Sequence, residues 1–231
     1  MKPLYLSTAV RAGLGSALRP GGTTLTKRIL DLAAPTANSM VVDAGCGSGA
    51  SMELLKDYGI RRIVGFDIDP QLAGEARQKG LDIALADLAR LPLPDSCLDL
   101  VLCECVWNLT DKKRVTSEFA RVLRPGGYLA LTDIYSRTGK TATWPLPCCF
   151  AGATDLATVT NLFTEAGFTV ELLEDHSPLL NKTAAEFVFT HGSLQGFWQA
   201  VTGDAHLATA ACSAAAASRP GLFLLLARRR E

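Results

Sequence analysis

Val41-Val42-Asp43-Ala44-Gly45-Cys46-Gly47-Ser48-Gly49 decides how the rest of this 231-residue chain is read. Two β-branched residues and an acid run into a glycine-spaced turn, and Ala50 to Tyr58 continue in a helical pattern. Strand, tight loop and helix in that order form the first unit of a nucleotide-binding α/β sheet. The glycines have separate tasks: one permits the sharp turn, one lets backbone approach a ligand, one lets helix and strand pack closely. The helix start then offers free N–H groups to a polar ligand group. The loop alone leaves the cofactor open, because Gly45, Gly47 and Ala50 also satisfy the dinucleotide pattern G-x-G-x-x-G/A. A glycine-rich turn with no ligand fits the same letters.

Further strands follow on the carboxyl side. Ile63 to Asp67 ends on an acid 22 residues past Gly45, placed to accept hydrogen bonds from both ribose hydroxyls of an adenosine ligand. Asp69 and Pro70 open the next helix as cap and first residue, and Gly80 closes it. Ile83 to Ala86 ends at Asp87, and Leu98 to Cys103 is followed by Glu104 and Cys105. Each strand thus ends in polar or reactive residues, where ligands of open α/β sheets bind. A helix opening at Thr110 or Asp111 buries Val115, Phe119, Val122 and Leu123 and leaves Lys112, Lys113 and Arg114 to water. It ends at the turn Arg124-Pro125-Gly126-Gly127, which feeds a strand from Tyr128 to Ile134. Thr154 is expected to cap a helix with Leu156, Val159, Leu162 and Phe163 inward. A strand from Phe168 to Leu173, an alanine-rich helical insertion over residues 178–218 and a last strand from Leu222 to Ala227 complete the series.

On the amino side, Thr23 or Thr24 caps a helix carrying Leu25, Ile29, Leu30 and Ala33 on one face. Residues 1–22, broken by glycines and prolines, read as a cap or lead-in segment. No linker or internal repeat divides the chain, so a single domain over 1–231 is expected.

Composition narrows the function. Apolar content of 48% suits a sizeable core, and 23 basic against 23 acidic residues leave no footprint for nucleic acid. Arg228-Arg229-Arg230 reads as a solvated strand end. No signal-peptide pattern is visible, and the longest strongly apolar run near the end, six residues from Leu222, is far below the ~20 needed to span a bilayer. Seven cysteines, an odd number, point to free thiols in a reducing compartment, and hence to a cytoplasmic protein without membrane attachment. No histidine or cysteine spacing suggests a metal site.

The pieces VVDAGCGSG, IVGFDID, ALADLARLPLPDSCLDLVLCECV and the helix ending RVLRPGGYLALTDIY together resemble the class I S-adenosylmethionine-dependent methyltransferases, over about residues 23–175 and the final strand. The resemblance implies a Rossmann-like, seven-stranded, mostly parallel sheet with an antiparallel last strand and helices on both faces. It implies S-adenosylmethionine as cofactor, with S-adenosylhomocysteine as product. By motif position the methionine moiety falls to Asp43, Ala44, Gly45, Cys46, Gly47 and Gly49, bordered by Cys103. The ribose falls to Asp67, and the adenine to Ile68, Asp87 and Leu88. A NAD dehydrogenase accounts for the loop and Asp67 but not for Asp87 or the RPGG turn.

A narrower segment, DIYSR followed by CCFAGATDLATVTNLFTEAGF, is similar to the arsenite methyltransferase branch, which places Cys149 or Cys148 against a thiophilic substrate. The expected acceptor is a small molecule. The alternatives are arsenite or a thiol at Cys149, or a partner protein that binds cofactor without turnover. No residue announces itself as a base. Glu104, Trp107 and Tyr135 are expected to face the substrate, and His176 to stand on the rim; Glu104, Tyr135, His176 and Cys149 are the catalytic candidates.

Overall fold

The computed structural model describes residues 3–231, so Met1 and Lys2 of the lead-in segment lie outside the described residues. Seven strands form one sheet in the order β3-β2-β1-β4-β5-β7-β6. They are β1 (Met40–Ala44), β2 (Arg62–Asp67), β3 (Ile83–Leu85), β4 (Leu98–Glu104), β5 (Leu123–Ser136), β6 (Phe168–Asp175) and β7 (Pro220–Arg229). The pairs from β3 across to β5 are parallel, and β7 runs antiparallel to both β5 and β6. This is the Rossmann-like sheet expected from the sequence.

Around it lie α1 (Thr8–Leu14), α2 (Thr24–Ala33), α3 (Ala50–Asp57), α4 (Pro70–Gln78), α5 (Lys112–Val122) and α6 (Leu156–Glu165). The insertion after β6 supplies α7 (Ser177–His191), α8 (Leu194–Thr202) and α9 (Ala205–Ser218). Side chains of a strand alternate between faces, and β4 divides accordingly. Val101 and Cys103 pack with Phe119, Val159 and Phe163 on one face; Leu100 and Leu102 pack with Leu25, Ile29 and Leu30 of α2 on the other.

The antiparallel β7 decides where the insertion goes. Ser136 at the carboxyl end of β5 pairs with Pro220 at the start of β7. Residues 176–219 therefore leave and re-enter the sheet at its carboxyl edge, where open α/β sheets bind ligands. There α8 and α9 meet α1 and the 142–150 loop in a separate apolar cluster, with Ala208, Ala211 and Ala214 buried against Val10, Trp144, Phe197 and Trp198. The small side chains of α9 let it pack closely.

Several local expectations need correction. Asp155, not Thr154, caps α6, accepting the Thr158 N–H at 2.8 Å. Asp111 caps α5. The Arg124–Gly127 turn lies inside β5 as an irregularity, because Leu98 pairs with Leu123 while Leu100 pairs with Tyr128. Gly127 is required there: a Cβ would lie 3.0 Å from the Arg124 carbonyl and 3.1 Å from that of Leu98. Lys112 does not face water. Its Nζ sits 4.4 Å from the Trp107 ring centroid and donates to the Gly152 carbonyl, and burial lowers its pKa. The terminal arginines are partly engaged: Arg228 pairs with Glu171 at 2.7 Å, and Arg229 donates to Ser96 Oγ at 2.8 Å. All seven cysteines are free. Among the described residues no helix is long and apolar enough to cross a membrane.

Candidate active site

The glycine loop is tied to the sheet by its own backbone. Gly45 N–H and Cys46 N–H both donate to the Phe66 carbonyl, at 2.7 and 3.1 Å. Gly45 has φ +75°, and a Cβ there would strike the Val106 side chain at 2.6 Å. Gly47, at φ +55°, faces open space; a Cβ on it would meet only Leu18, at 3.8 Å. Its N–H donates to Asp67 Oδ2 at 2.7 Å, while Asp67 Oδ1 accepts from Asp69 N–H at 2.9 Å. Asp67 thus fixes the loop and keeps lone pairs for a ligand. Burial raises its pKa, and these N–H donors oppose the rise.

Asp43, at the end of β1, is buried and its Oδ2 has no hydrogen-bond partner. Burial pushes its carboxyl up to about 7; Glu104 adds to the rise and Arg19 opposes it. Beside it, Arg19 of the lead-in segment forms a buried ion pair with Glu104 at 2.9 Å. Arg19 also donates to Thr26 Oγ1 at 2.7 Å and Ser51 Oγ at 2.8 Å, and both hydroxyls donate to Glu104. The lead-in segment is latched elsewhere as well, by Arg11 to Glu75 at 2.6 Å and by Ser48 Oγ to the Ser16 carbonyl at 3.0 Å.

Asp43, Arg19 and Glu104 border a cavity of about 470 Å³ that runs from Asp43 and the glycine loop past Asp67 and Ile68 to Asp87 and Leu88. A second cavity, of about 230 Å³, opens beside it and is walled by the lead-in segment, Trp144, Cys148 to Phe150, α7 and α8. Tyr5, Leu18, Cys105 and Leu109 line both. Cys105 stands at this junction with φ +58°, a backbone state rare outside glycine, held by its N–H to the Thr132 carbonyl at 2.7 Å.

The sequence-predicted residues divide between these places. Asp43, Gly45, Cys46, Gly47, Asp67, Ile68, Asp87, Leu88 and Glu104 meet at the larger cavity, and Cys149 lines the smaller one. Ala44 is fully buried in the core, and Gly49 caps α3 behind the loop, its Cβ position filled by Leu81. Cys103 lies on the opposite face of β4, fully buried among core side chains; one residue further along, strand alternation brings Glu104 to the cavity instead. Trp107 is likewise buried, 5.2 Å from the Phe163 ring, with its Nε1 donating to Thr116. Tyr135 packs against Phe223 in the core, and His176 pairs with Glu174 at 2.8 Å; neither lines either of these two cavities. Glu104 reaches the site but is held by Arg19, Thr26 and Ser51. The sequence reading missed Arg19, Leu18, Leu72 and Arg114, which also line the larger cavity. Among the described residues no group of three His, Cys, Asp or Glu side chains is placed to hold a metal ion.

Comparison with known proteins agrees with this geometry. A methyltransferase-domain family model matches residues 42–131, the stretch from the glycine loop through most of β5. A protein of Mycolicibacterium smegmatis described as "Probable S-adenosylmethionine-dependent methyltransferase" is 36% identical over 144 residues, covering 61% of this chain and 56% of its own. An arsenite methyltransferase of Halobacterium salinarum is 30% identical over 158 residues, covering 59% of this chain and 39% of its own. The chain thus spans about half or less of the length of these curated relatives. Among solved structures, Haemonchus contortus phosphoethanolamine N-methyltransferase 2 in complex with S-adenosyl-L-methionine superposes with a TM-score of 0.75 over 96% of this chain and 56% of its own, at 17% identity, a likeness of fold. Its glycine loop, its strand-end acids and its sheet order thus stand in a chain that matches a methyltransferase-domain family model over residues 42–131 and is similar to S-adenosylmethionine-dependent methyltransferases.

Proposed function

We propose that the protein transfers a methyl group from S-adenosylmethionine to a small-molecule acceptor. The observation that carries this is the junction of the two cavities at Tyr5, Leu18, Cys105 and Leu109, which sets a polar, acid-lined site beside an apolar chamber. The larger cavity fits the cofactor. Its unpartnered buried oxygen, Asp43 Oδ2, suits a cationic or N–H-bearing ligand group. Gly45 and Gly47 allow backbone approach, Asp67 has lone pairs for ribose hydroxyls, and exposed Ile68 offers an apolar face for adenine. Bound there, S-adenosylmethionine supplies an electrophilic methyl on a sulfonium whose departure as a thioether needs no acid.

The protein's own contribution is then placement. Asp43, Asp67 and Asp87 fix the cofactor end, and the chamber walls hold the acceptor and exclude water. The Arg19–Glu104 pair keeps a carboxylate beside the junction without leaving it free as a base. A second reading, a thiophilic acceptor such as arsenite, is favoured by Cys105, Cys148 and Cys149 lining one chamber and by the arsenite methyltransferase relative.

Calorimetric titration with S-adenosylhomocysteine, with NAD as control, tests the proposal. Micromolar binding of the first alone, lost in Asp67→Ala, is expected, followed by methylation of an acceptor from a panel of small phenols, thiols and arsenite. Binding of NAD alone overturns it.

A further inference from the structure

Resting on that methyl-transfer reading, we propose that the acceptor is an uncharged, largely apolar organic molecule of one- or two-ring size, held in the smaller chamber through a single hydrogen-bonding group. Among the described residues no Lys, Arg, His, Asp or Glu side chain lines this chamber. A phosphate, carboxylate or ammonium entering it would lose its hydration with no opposite charge to replace it, which costs far more than burying a neutral group.

An aromatic box for a cation is excluded by how the rings are used. Trp144 stacks on Phe150 at 4.8 Å, Phe187 on Phe197 at 4.1 Å, and Trp198 leans on Phe197 at 5.1 Å. Ring faces spent on each other do not form the open cage that recognises a quaternary ammonium. A metalloid is disfavoured too. The chamber's thiols belong to no three-ligand group, and burial holds Cys105, Cys148 and Cys149 protonated, whereas soft metalloids bind thiolates.

What remains is an apolar wall with Asn181 and Thr183 as its polar points. Trp144 and Trp198 each keep a buried indole N–H without an acceptor. At about 230 Å³ the chamber falls below the range of roughly 300–1,000 Å³ common for drug-sized ligands. Its walls come mainly from segments outside residues 42–131, the part matched by the family model.

The test is calorimetry with 1-naphthol and with 1-naphthyl phosphate, which share the ring system and differ in charge, on protein saturated with S-adenosylhomocysteine. The neutral probe is expected to bind at least about tenfold more tightly, a difference of about 1.4 kcal/mol. Ala184→Phe and, independently, Leu194→Trp fill the chamber from α7 and α8; each is expected to weaken naphthol binding about tenfold or more while S-adenosylhomocysteine still binds. That retained binding shows the variants are folded. Equal or tighter binding of the phosphate overturns the proposal, as does naphthol binding that both variants leave intact. If S-adenosylhomocysteine binds and naphthol does not, the substrate class falls and methyl transfer stands. If naphthol binds with the predicted preference but S-adenosylhomocysteine does not, methyl transfer falls and the ligand class of the chamber stands.

Discussion

The Arg19 guanidinium lies 2.9 Å from the Glu104 carboxylate, with both side chains buried, so the lead-in segment and the end of β4 are joined by a charge pair beneath the cavity junction. Removing one member of such a pair strands the other in a low-dielectric site. Arg19→Met is therefore expected to cost about 3–5 kcal/mol in urea unfolding, and Glu104→Gln a comparable amount. The double variant should lose clearly less than the sum of the two. Additive losses would mean that the pair contributes no coupling.

Asp43 faces two opposed demands. Its buried carboxyl titrates near 7 and lacks a partner for Oδ2, which is unfavourable for the fold and useful for a ligand that brings a donor. If the ligand needs the carboxylate, S-adenosylhomocysteine affinity should fall as pH drops below about 7, by up to tenfold per pH unit, and binding at pH 6 should release a proton. Buffers of different ionisation enthalpy reveal that proton in calorimetry. Asp43→Asn should abolish the pH dependence and weaken binding by about 10- to 100-fold, while raising the thermal midpoint at pH 8. A pH-independent affinity in the wild type would remove Asp43 from contact with the ligand.

The same shift has a signature in the free protein. Asp43 and Asp133, both raised to about 7 by burial, hold protons in the folded state that the unfolded chain releases near 3.8. The folded state then binds more protons between these values, so their contribution to stability is full below about 3.8 and is lost as pH rises to about 7. Carboxylates with lowered pKa, such as Glu75 and Glu118, act in the opposite direction but only near and below their ordinary range. Urea unfolding should therefore show higher stability at pH 5.5 than at pH 8, with a shallower slope in Asp43→Asn. A flat profile in the wild type over that window would contradict both raised values.

The parts legible in the sequence are those with local signals. Asp43, the glycines, Asp67 and Asp87 sit at strand ends marked by apolar runs and turns, and they meet at one cavity. Arg19 carried no such signal, because nothing in a glycine- and proline-broken segment pairs it with Glu104; the pairing arises when α2 lays its Thr26 face on the sheet. Cys103 was placed at the site by motif position, yet the two-residue alternation of β4 gives Cys103 to the core and Glu104 to the cavity. Tyr135 follows from the same parity on β5, in a strand longer than its apolar core suggested. The smaller chamber was not legible because its walls come from four stretches distant in sequence, within 4–20, 105–109, 144–150 and 180–220.

Gly152 tests how firmly one of those segments is placed. A Cβ there would sit 2.1 Å from the Asn108 carbonyl oxygen, a backbone atom that cannot swing aside as a side chain would. Its own carbonyl also receives the Lys112 ammonium. Gly152→Ala should therefore push the 148–153 turn away from the Trp107–Leu109 turn and cost about 1–3 kcal/mol. Because Cys148, Cys149 and Phe150 line the chamber, naphthol binding should weaken more than S-adenosylhomocysteine binding. Equal loss of both ligands would point to general unfolding rather than a displaced wall.

Thiol reactivity separates an organic acceptor from a metalloid. Burial raises the pKa of Cys105 and Cys149 well above the ordinary range, Cys105 further disfavouring the Cys149 thiolate, so little nucleophilic sulfur exists at pH 8. Cys97 and Cys212, also half-buried, are less shifted. Iodoacetamide at pH 8 should alkylate Cys97 and Cys212 first and spare Cys105 and Cys149 until the protein is unfolded in urea, as read by peptide mass spectrometry. Saturation with S-adenosylhomocysteine should not change that order if the chamber thiols are simply wall. Fast alkylation of Cys149 in the native protein, protected by arsenite, would instead show a thiolate poised for a soft ligand and would favour the thiophilic reading.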